Sequence, residues 1–272
     1  MPPQRIISVV PSQTELLYDL GLDQEIVGIT KFCIHPAEKV KDTFKVGGTK
    51  TLHLDQIHDL KPDYILANKE ENTREQIEEL QRHYPVHVTD VNTVTDALAM
   101  IREVSELVGK GWKGEELSRK IEQSLNICPQ PCDGPTPEGG YYTSSKAPFR
   151  GRTVARLGAN VAYFIWRKPY MVAANQTFIH SMLELAGFQN AFEGITRYPE
   201  VTEADLKTAQ PDLIFLSSEP YPFSEKHRTE LQEICPDARV LLVDGEVFSW
   251  YGSRLLKSAD YIQQLRQSLG LL

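Results

Sequence analysis

A histidine follows a cysteine by two positions in Lys31-Phe32-Cys33-Ile34-His35-Pro36, and in extended geometry such a pair projects to one face. One reading is structural packing. The other makes His35 a ligand contact, its imidazole an axial donor to a metal carried by the ligand. Val46-Gly47-Gly48-Thr49-Lys50-Thr51 invites a phosphate-loop reading, but the Walker pattern needs Gly-Lys-Ser/Thr after four intervening residues. It reads instead as a glycine turn that presents Lys50. Cys128 and Cys132 flank Pro129-Gln130-Pro131; they pair, bind a metal or are plain loop residues, and a lone C-x3-C is weak support for zinc. Cys235, before a Pro-Asp turn, reads as packing. If the chain were an enzyme, His35, Glu70, Asp244 and Glu246 would be its acid–base or metal candidates.

Aromatic rings gather at the ends of the expected strands: Phe32, Trp166, Tyr170, Tyr221, Phe223, Trp250 and Tyr251. Beside Pro, Gly and charge they suit a surface that touches a bulky molecule, part apolar and part polar. Taken singly, each ring is as well explained by a core. As a set at strand ends they point to a ligand cleft, with Lys50 and Arg254 as polar anchors. Pro11-Ser12-Gln13-Thr14-Glu15 adds a helix start whose backbone N–H groups can hold a polar ligand group.

The elements that must position these residues are written twice. Leu54–Leu66 and Asp205–Leu216 each run from a short amphipathic helix through Pro-Asp (Pro62-Asp63, Pro211-Asp212) into four apolar residues. The proline pushes its predecessor out of the α region and stops the helix; the apolar run marks a buried parallel strand. The copies are too far apart for a stacked repeat, so they predict equivalent units in two lobes. Ligands gather at the carboxyl ends of strands in open α/β sheets, and two such ends facing each other would make a cleft.

Along the chain, residues 5–10 predict a strand, and Ser12 predicts an N-cap with Glu15 as capping-box partner and Gly21 as the stop. Strands follow at 26–30 and 86–88. Asn72 predicts the cap of a helix through Leu80, with Glu75 three residues on. Thr95 to Val108 predicts a helix, broken by Gly109, Gly111 and Gly114, and a second runs over about 114–127. Residues 128–152, rich in Pro and Gly, predict a surface excursion. Asn160–Trp166 and 240–243 predict strands, Thr177 caps a helix ending at Gly187, and 253–268 predicts a last helix. The organisation expected is an N-terminal α/β lobe at 1–92, interlobe helices at 93–127, a variable loop at 128–159 and a C-terminal α/β lobe at 160–272. The fold class is therefore α/β: two Rossmann-like lobes, each a mostly parallel sheet flanked by helices, joined by a helical linker.

With 272 residues, a net charge of −8, 41% hydrophobic and 24% charged residues, the chain is an ordinary globular composition without the basic footprint of a nucleic-acid binder. No apolar run approaches a membrane span. Ile6–Val10 is too short for a signal-peptide core, which predicts a cytoplasmic chain or one that has lost its leader.

Arg5–Glu15, Phe32…His35-Pro36, Leu60-Lys61-Pro62-Asp63 and Trp166…Pro169…Asn175…Leu185-Ala186-Gly187 together resemble the cobalamin- and iron-siderophore-binding proteins of ABC importers, over nearly the whole chain. The resemblance implies the class III periplasmic-binding-protein-like fold and reversible ligand capture without chemistry. It implies no intrinsic cofactor, with cobalamin as first ligand and ferric siderophore or haem next. It also implies a monomer that docks on an ABC permease, in the periplasm or at the cell surface. Few basic residues at the strand ends favour cobalamin over an anionic ferric chelate. By position, His35 falls where the cobalamin binder has a corrin-contacting tyrosine and Thr49 where it has a tryptophan. Trp166 and Tyr170 fall near the second-lobe wall. The ligand-binding set is thus Pro11, Ser12, Thr14, Phe32, His35, Lys50, Trp166, Tyr170, Tyr221, Phe223, Trp250, Tyr251 and Arg254. Glu71 or Glu75 and Glu219 or Glu225 are the permease-docking candidates, and solvated surface charge is the simpler reading of each.

Overall fold

The computed structural model describes residues 2–127 and 158–271, and the chain divides into two compact units, Met1–Ser118 with Trp250–Leu255, and Arg119–Ser249 with Leu256–Leu272. In the first, β1 (Ile6–Ser8), α1 (Pro11–Asp19), β2 (Ile26–Ile29) and α2 (Ala37–Val40) precede a short ribbon of β3 (Gly47–Gly48) and β4 (Thr51–Leu52). Then come α3 (Leu54–Leu60), β5 (Tyr64–Asn68), α4 (Arg74–Gln81), β6 (Val86–Thr89), α5 (Val94–Leu107) and α6 (Gly111–Ser124), the last running on into the second unit. The sheet order is β2-β1-β5-β6, all parallel. Every residue of β1 and β5 is buried, as their unbroken apolar runs require of strands covered on both faces. The chain passes from β2 on one side of β1 to β5 on the other. The order therefore reverses between β1 and β5, and their carboxyl ends form the switch point where an α/β sheet offers room for a ligand.

The second unit holds β7 (Asn160–Trp166), β8 (Tyr170–Val172), α7 (Phe178–Leu185), β9 (Gln189–Asn190), β10 (Glu200–Val201), α8 (Glu203–Ala209), β11 (Leu213–Ser217), α9 (Glu225–Ile234), β12 (Arg239–Val243), α10 (Gly245–Ser249) and most of α11 (Leu255–Ser268). Its sheet runs β10-β8-β7-β11-β12, with β9 also on β7. The β7, β9, β11 and β12 pairings are parallel, and β8 and β10 are antiparallel additions. Alternation along β7 and β11 sends Ala162, Phe164, Ile214 and Leu216 into one apolar cluster and Tyr163 and Phe215 to a ring group with Phe188 and Phe248.

The repeat has a physical cause. Both helices end on a left-handed residue, Lys61 (φ 46) and Gln210 (φ 44), and each following Asp fastens the neighbouring strand. Asp63 accepts from the N–H groups of Gln4 and Arg5 at 2.9 and 3.0 Å while its own N–H donates to the Arg5 carbonyl. Asp212 accepts from the Asn160 N–H at 2.8 Å and donates to the Asn160 carbonyl. The side chains of Arg5 and Asn160 return the bond, donating to the carbonyls of Leu60 and Ala209 at the helix ends. Removing either carboxylate, Asp63→Ala or Asp212→Ala, is expected to cost about 1–2 kcal/mol, read as a lowered urea midpoint. A neutral outcome at both would reduce the repeat to turn chemistry alone.

Three expected boundaries move. Helix α1 begins at Pro11 with Val10 as N-cap and no side-chain cap, because Pro is pre-shaped for the first helical position; Ser12 and Glu15 lie inside it and form no capping box. Helix α4 begins at Arg74 behind Thr73, so Asn72 is not its cap. Only Gly109 (φ +71) ends α5. Gly111 and Gly114 are helical, and a Cβ on Gly114 would lie 2.3 Å from Ser105 Cβ. That glycine permits close helix packing where a breaker was expected. Thr177 does cap α7, accepting from the His180 N–H at 3.1 Å. Among the described residues no helix is long and apolar enough to cross a membrane. The Cys128–Cys132 pair and the predicted excursion at 128–152 lie outside the described residues.

Candidate functional site

At the carboxyl end of β2 the chain turns rather than extends. The Lys31 N–H donates to the Gly47 carbonyl at 2.8 Å and the Cys33 N–H to the Thr30 carbonyl at 3.1 Å. The turn tucks Cys33 inward, its sulfur 3.1 and 3.2 Å from the Thr14 and Thr30 hydroxyls. Burial pushes its thiol pKa up, leaving a neutral packing group and no thiolate. The segment is a turn rather than the extended strand expected, and exposure still alternates along it. Phe32 and Ile34 are 50% and 46% exposed and His35 is half-buried. The Phe32 ring lies over Gly48, where a Cβ would sit 3.2 Å from it, with Lys31 Nζ 5.1 Å from its centroid.

His35 is held from behind by a chain of contacts that starts in α1. Glu15 accepts two bonds from Arg254, Nε at 2.8 Å and Nη2 at 2.9 Å. The Arg254 guanidinium lies 4.8 Å from the Trp250 ring centroid. Trp250 meets His35 edge to face at 5.4 Å. Gly252 (φ +108) carries the segment past the Ser12 carbonyl, 3.3 Å from where a Cβ would stand. Arg254, expected as a ligand anchor, is spent on Glu15. Trp250 and Tyr251, expected as open rings, are each 6% exposed. Thr14 is fully buried, its hydroxyl 2.7 Å from Ser8 Oγ and 2.9 Å from the Val10 carbonyl, and Ser12 is buried as well. Pro11 stays half-exposed at the helix start.

The switch point between β1 and β5 is closed by two amides, of which Asn72 was expected only as a helix cap and Asn68 not at all. Asn72 Nδ2 donates to the carbonyls of Val9 and Thr49, both at 3.1 Å, and its Oδ1 accepts from the Asn68 N–H at 2.8 Å. Asn68 in turn binds Thr89 and accepts from the N–H groups of Glu70 and Glu71. Thr49 is buried, while Lys50 is exposed and donates to the Glu70 carbonyl. The signal available in sequence was the Asn pair itself, at i and i+4 just beyond a strand.

In the second unit Trp166, 41% exposed, meets Tyr221 at 5.5 Å, and Tyr221 meets Phe223 at 4.8 Å. Phe223 is 8% exposed and belongs to the core, so it is no surface ring. Arg167 grips Glu230 through Nε at 3.0 Å and Nη2 at 2.7 Å, and the Tyr170 hydroxyl donates to the same carboxylate. The Arg167 guanidinium holds Glu230 below the usual carboxylate range; burial, then Glu230, pushes Tyr170 up to about 12.

Of the acidic candidates, Glu75 and Glu225 are exposed in the first turns of α4 and α9, the helices that follow the repeated strands. Glu71 is half-buried, and Glu219 accepts from the Ser249 hydroxyl at 2.7 Å. Asp244 accepts from the Glu246 N–H at the start of α10, a structural use for the Asp244 carboxylate. Among the described residues no group of three or more His, Cys, Asp or Glu is placed to hold a metal.

A family model described as a periplasmic binding protein matches residues 6–240. The chain is 24% identical over 262 residues to the vitamin B12-binding protein of Pectobacterium carotovorum subsp. carotovorum (strain PC1), covering 96% of this chain and 87% of that protein. It is 23% identical over 271 residues to the ABC transporter substrate-binding lipoprotein YvrC of Bacillus subtilis (strain 168), covering 96% and 79%. In fold it is similar to the periplasmic heme-binding protein BhuT in complex with two hemes, with a TM-score of 0.77, 21% identity and full coverage of both chains.

Proposed function

The chain belongs to the periplasmic binding protein family, and on that premise we propose that it is a non-enzymatic receptor for a bulky metal chelate, cobalamin first, delivered to an ABC importer. One observation carries the choice of ligand. Arg254, beside Trp250, and Arg167, at the end of β7, are each neutralised by a carboxylate in a two-point ion pair, and a site for an anionic ferric chelate needs arginines directed at the ligand. Phe32 and the half-buried His35 supply an apolar face and an imidazole, with Lys50 at the rim. Trp166, Tyr170 and Tyr221 are proposed as further contacts. Haem is the second reading, favoured by an imidazole flanked by Phe32 and Ile34, since His35 can then serve as axial donor to iron.

Docking on the permease is proposed through Glu75 and Glu225, supported by their equivalent exposed places after the repeated strands. The receptor is proposed to act outside the cytoplasm as a monomer. The alternative is a cytoplasmic corrinoid- or tetrapyrrole-handling protein or enzyme on the same frame.

Titration with aquocobalamin, hemin and a ferric hydroxamate, followed in the visible spectrum, tests the reading. Stoichiometric and reversible binding of aquocobalamin, with the ligand recovered unchanged, is expected. His35→Ala is expected to weaken it about tenfold and to abolish any spectral shift due to axial ligation. Binding of none of the three would overturn the receptor reading. Conversion of the ligand, or recovery of the protein with cytosolic markers, would favour the alternative.

A further inference from the structure

We propose that Glu230 is a positioning residue that holds Trp166 in place for ligand contact, an inference that rests on the functional reading above. The β7–β8 ladder shifts register just before Trp166. Phe164 pairs with Val172, but Trp166 pairs with Met171, so Ile165 is an extra residue on β7. A bulge of this kind redirects the side chains beyond it and leaves the strand end underdetermined. Beyond the shifted pair the strand end is supported by a brace from α9. Glu230 binds Arg167, the residue next to Trp166, through two nitrogens, and it accepts from Tyr170 on the far side of the same turn. One carboxylate thus ties both arms of the β7–β8 turn.

The far end of the brace is anchored. Helix α9 buries Leu231, the neighbour of Glu230, in the core of this unit. Its first turn is closed by Ser224 and His227, whose Nδ1 accepts from the Ser224 N–H at 2.9 Å. The Trp166 ring also meets Tyr221 edge to face at 5.5 Å, and Tyr221 is itself held near His227 Nε2 at 3.3 Å. Side-chain exposures of 21% for Arg167 and 32% for Glu230 make this a partly buried, bidentate pair, the geometry in which a carboxylate directs a guanidinium plane as well as attracting it. Glu230 acts through Arg167 and Tyr170 on the placement of the exposed ring and touches no ligand itself.

The test separates positioning from mere stability. The protein has three tryptophans, and in a Trp112→Phe background Trp250, 6% exposed, is shielded while Trp166, 41% exposed, is open to a quencher. Glu230→Ala in that background is expected to change the emission and acrylamide quenching of Trp166, with Glu230→Gln intermediate because its amide oxygen still accepts from Tyr170. Affinity for aquocobalamin, or for hemin if that is the probe bound, is expected to fall about tenfold in Glu230→Ala. It is expected to fall no further when Glu230→Ala is added to Trp166→Ala. Unchanged quenching in Glu230→Ala, or fully additive losses in the double variant, would overturn the proposal. If the wild-type protein binds neither probe the functional reading fails, and the quenching comparison still decides whether Glu230 places the ring.

Discussion

Glu15→Ala is expected to cost about 3–5 kcal/mol of folding stability. With side-chain exposures of 8% for Arg254 and 7% for Glu15, the pair is shielded from water, and removing the carboxylate takes away the two charge-assisted bonds that Arg254 makes to it at 2.8 and 2.9 Å. The attraction between exposed charges would be worth about 1 kcal/mol or less; here desolvation of the survivor dominates. Arg254→Ala is expected to cost a similar amount, with the loss of its packing on Trp250 added. The double variant is expected to cost clearly less than the sum, because no charge is then left unpaired. Urea unfolding followed by Trp250 fluorescence checks this. A loss below about 1 kcal/mol in Glu15→Ala would rank the pair with surface ion pairs. Ligand affinity is expected to fall with stability, since Trp250 is the ring behind His35.

That pair also marks where sequence reading stopped. Glu15 and Arg254 are 239 positions apart, and nothing in local spacing joins them. Each instead had a plausible local use, Glu15 as a capping partner and Arg254 as a ligand anchor. Burial decided against both. The same contact bears on Trp250, which stands among Gly, Ser and Arg and looks open, but packs on the arginine that Glu15 holds in the interior. By contrast, whatever depended on short-range pattern was legible. Asn160–Trp166 is a strand from end to end, Thr177 caps its helix, and both Pro-Asp units lead into fully buried strands. Gly114 shows the limit from another side. A glycine inside an apolar pattern reads as a break, whereas here it is the contact point with Ser105, which only the packed pair of helices reveals. Phe32 and Trp166, rings expected at the surface, are exposed, and His35 is half-buried. The bonds made by Glu230 and by the Asn68–Asn72 pair had no such signal, because they reach carbonyls and side chains brought from other elements.

Asn72→Ala is expected to lower stability by about 3 kcal/mol, since it leaves the carbonyls of Val9 and Thr49 and the N–H of Asn68 without this partner in a dry position. Asn72 is 5% exposed, so water cannot replace the lost bonds without opening the switch point. The aspartate variant discriminates further. Asn72→Asp keeps an oxygen for the Asn68 N–H but turns the donor that faced two carbonyls into a second acceptor, and it buries a charge. It is therefore expected to be worse than alanine, although it is closer in shape. Amide hydrogen exchange over residues 64–72 reads the effect locally, with faster exchange expected in both variants and fastest in Asn72→Asp. If the two variants exchange alike and unfold near the wild-type midpoint, the amide is not what closes the sheet end. The carboxyl ends of β1 and β5 would then be held by the apolar packing of residues such as Val9 and Ala67.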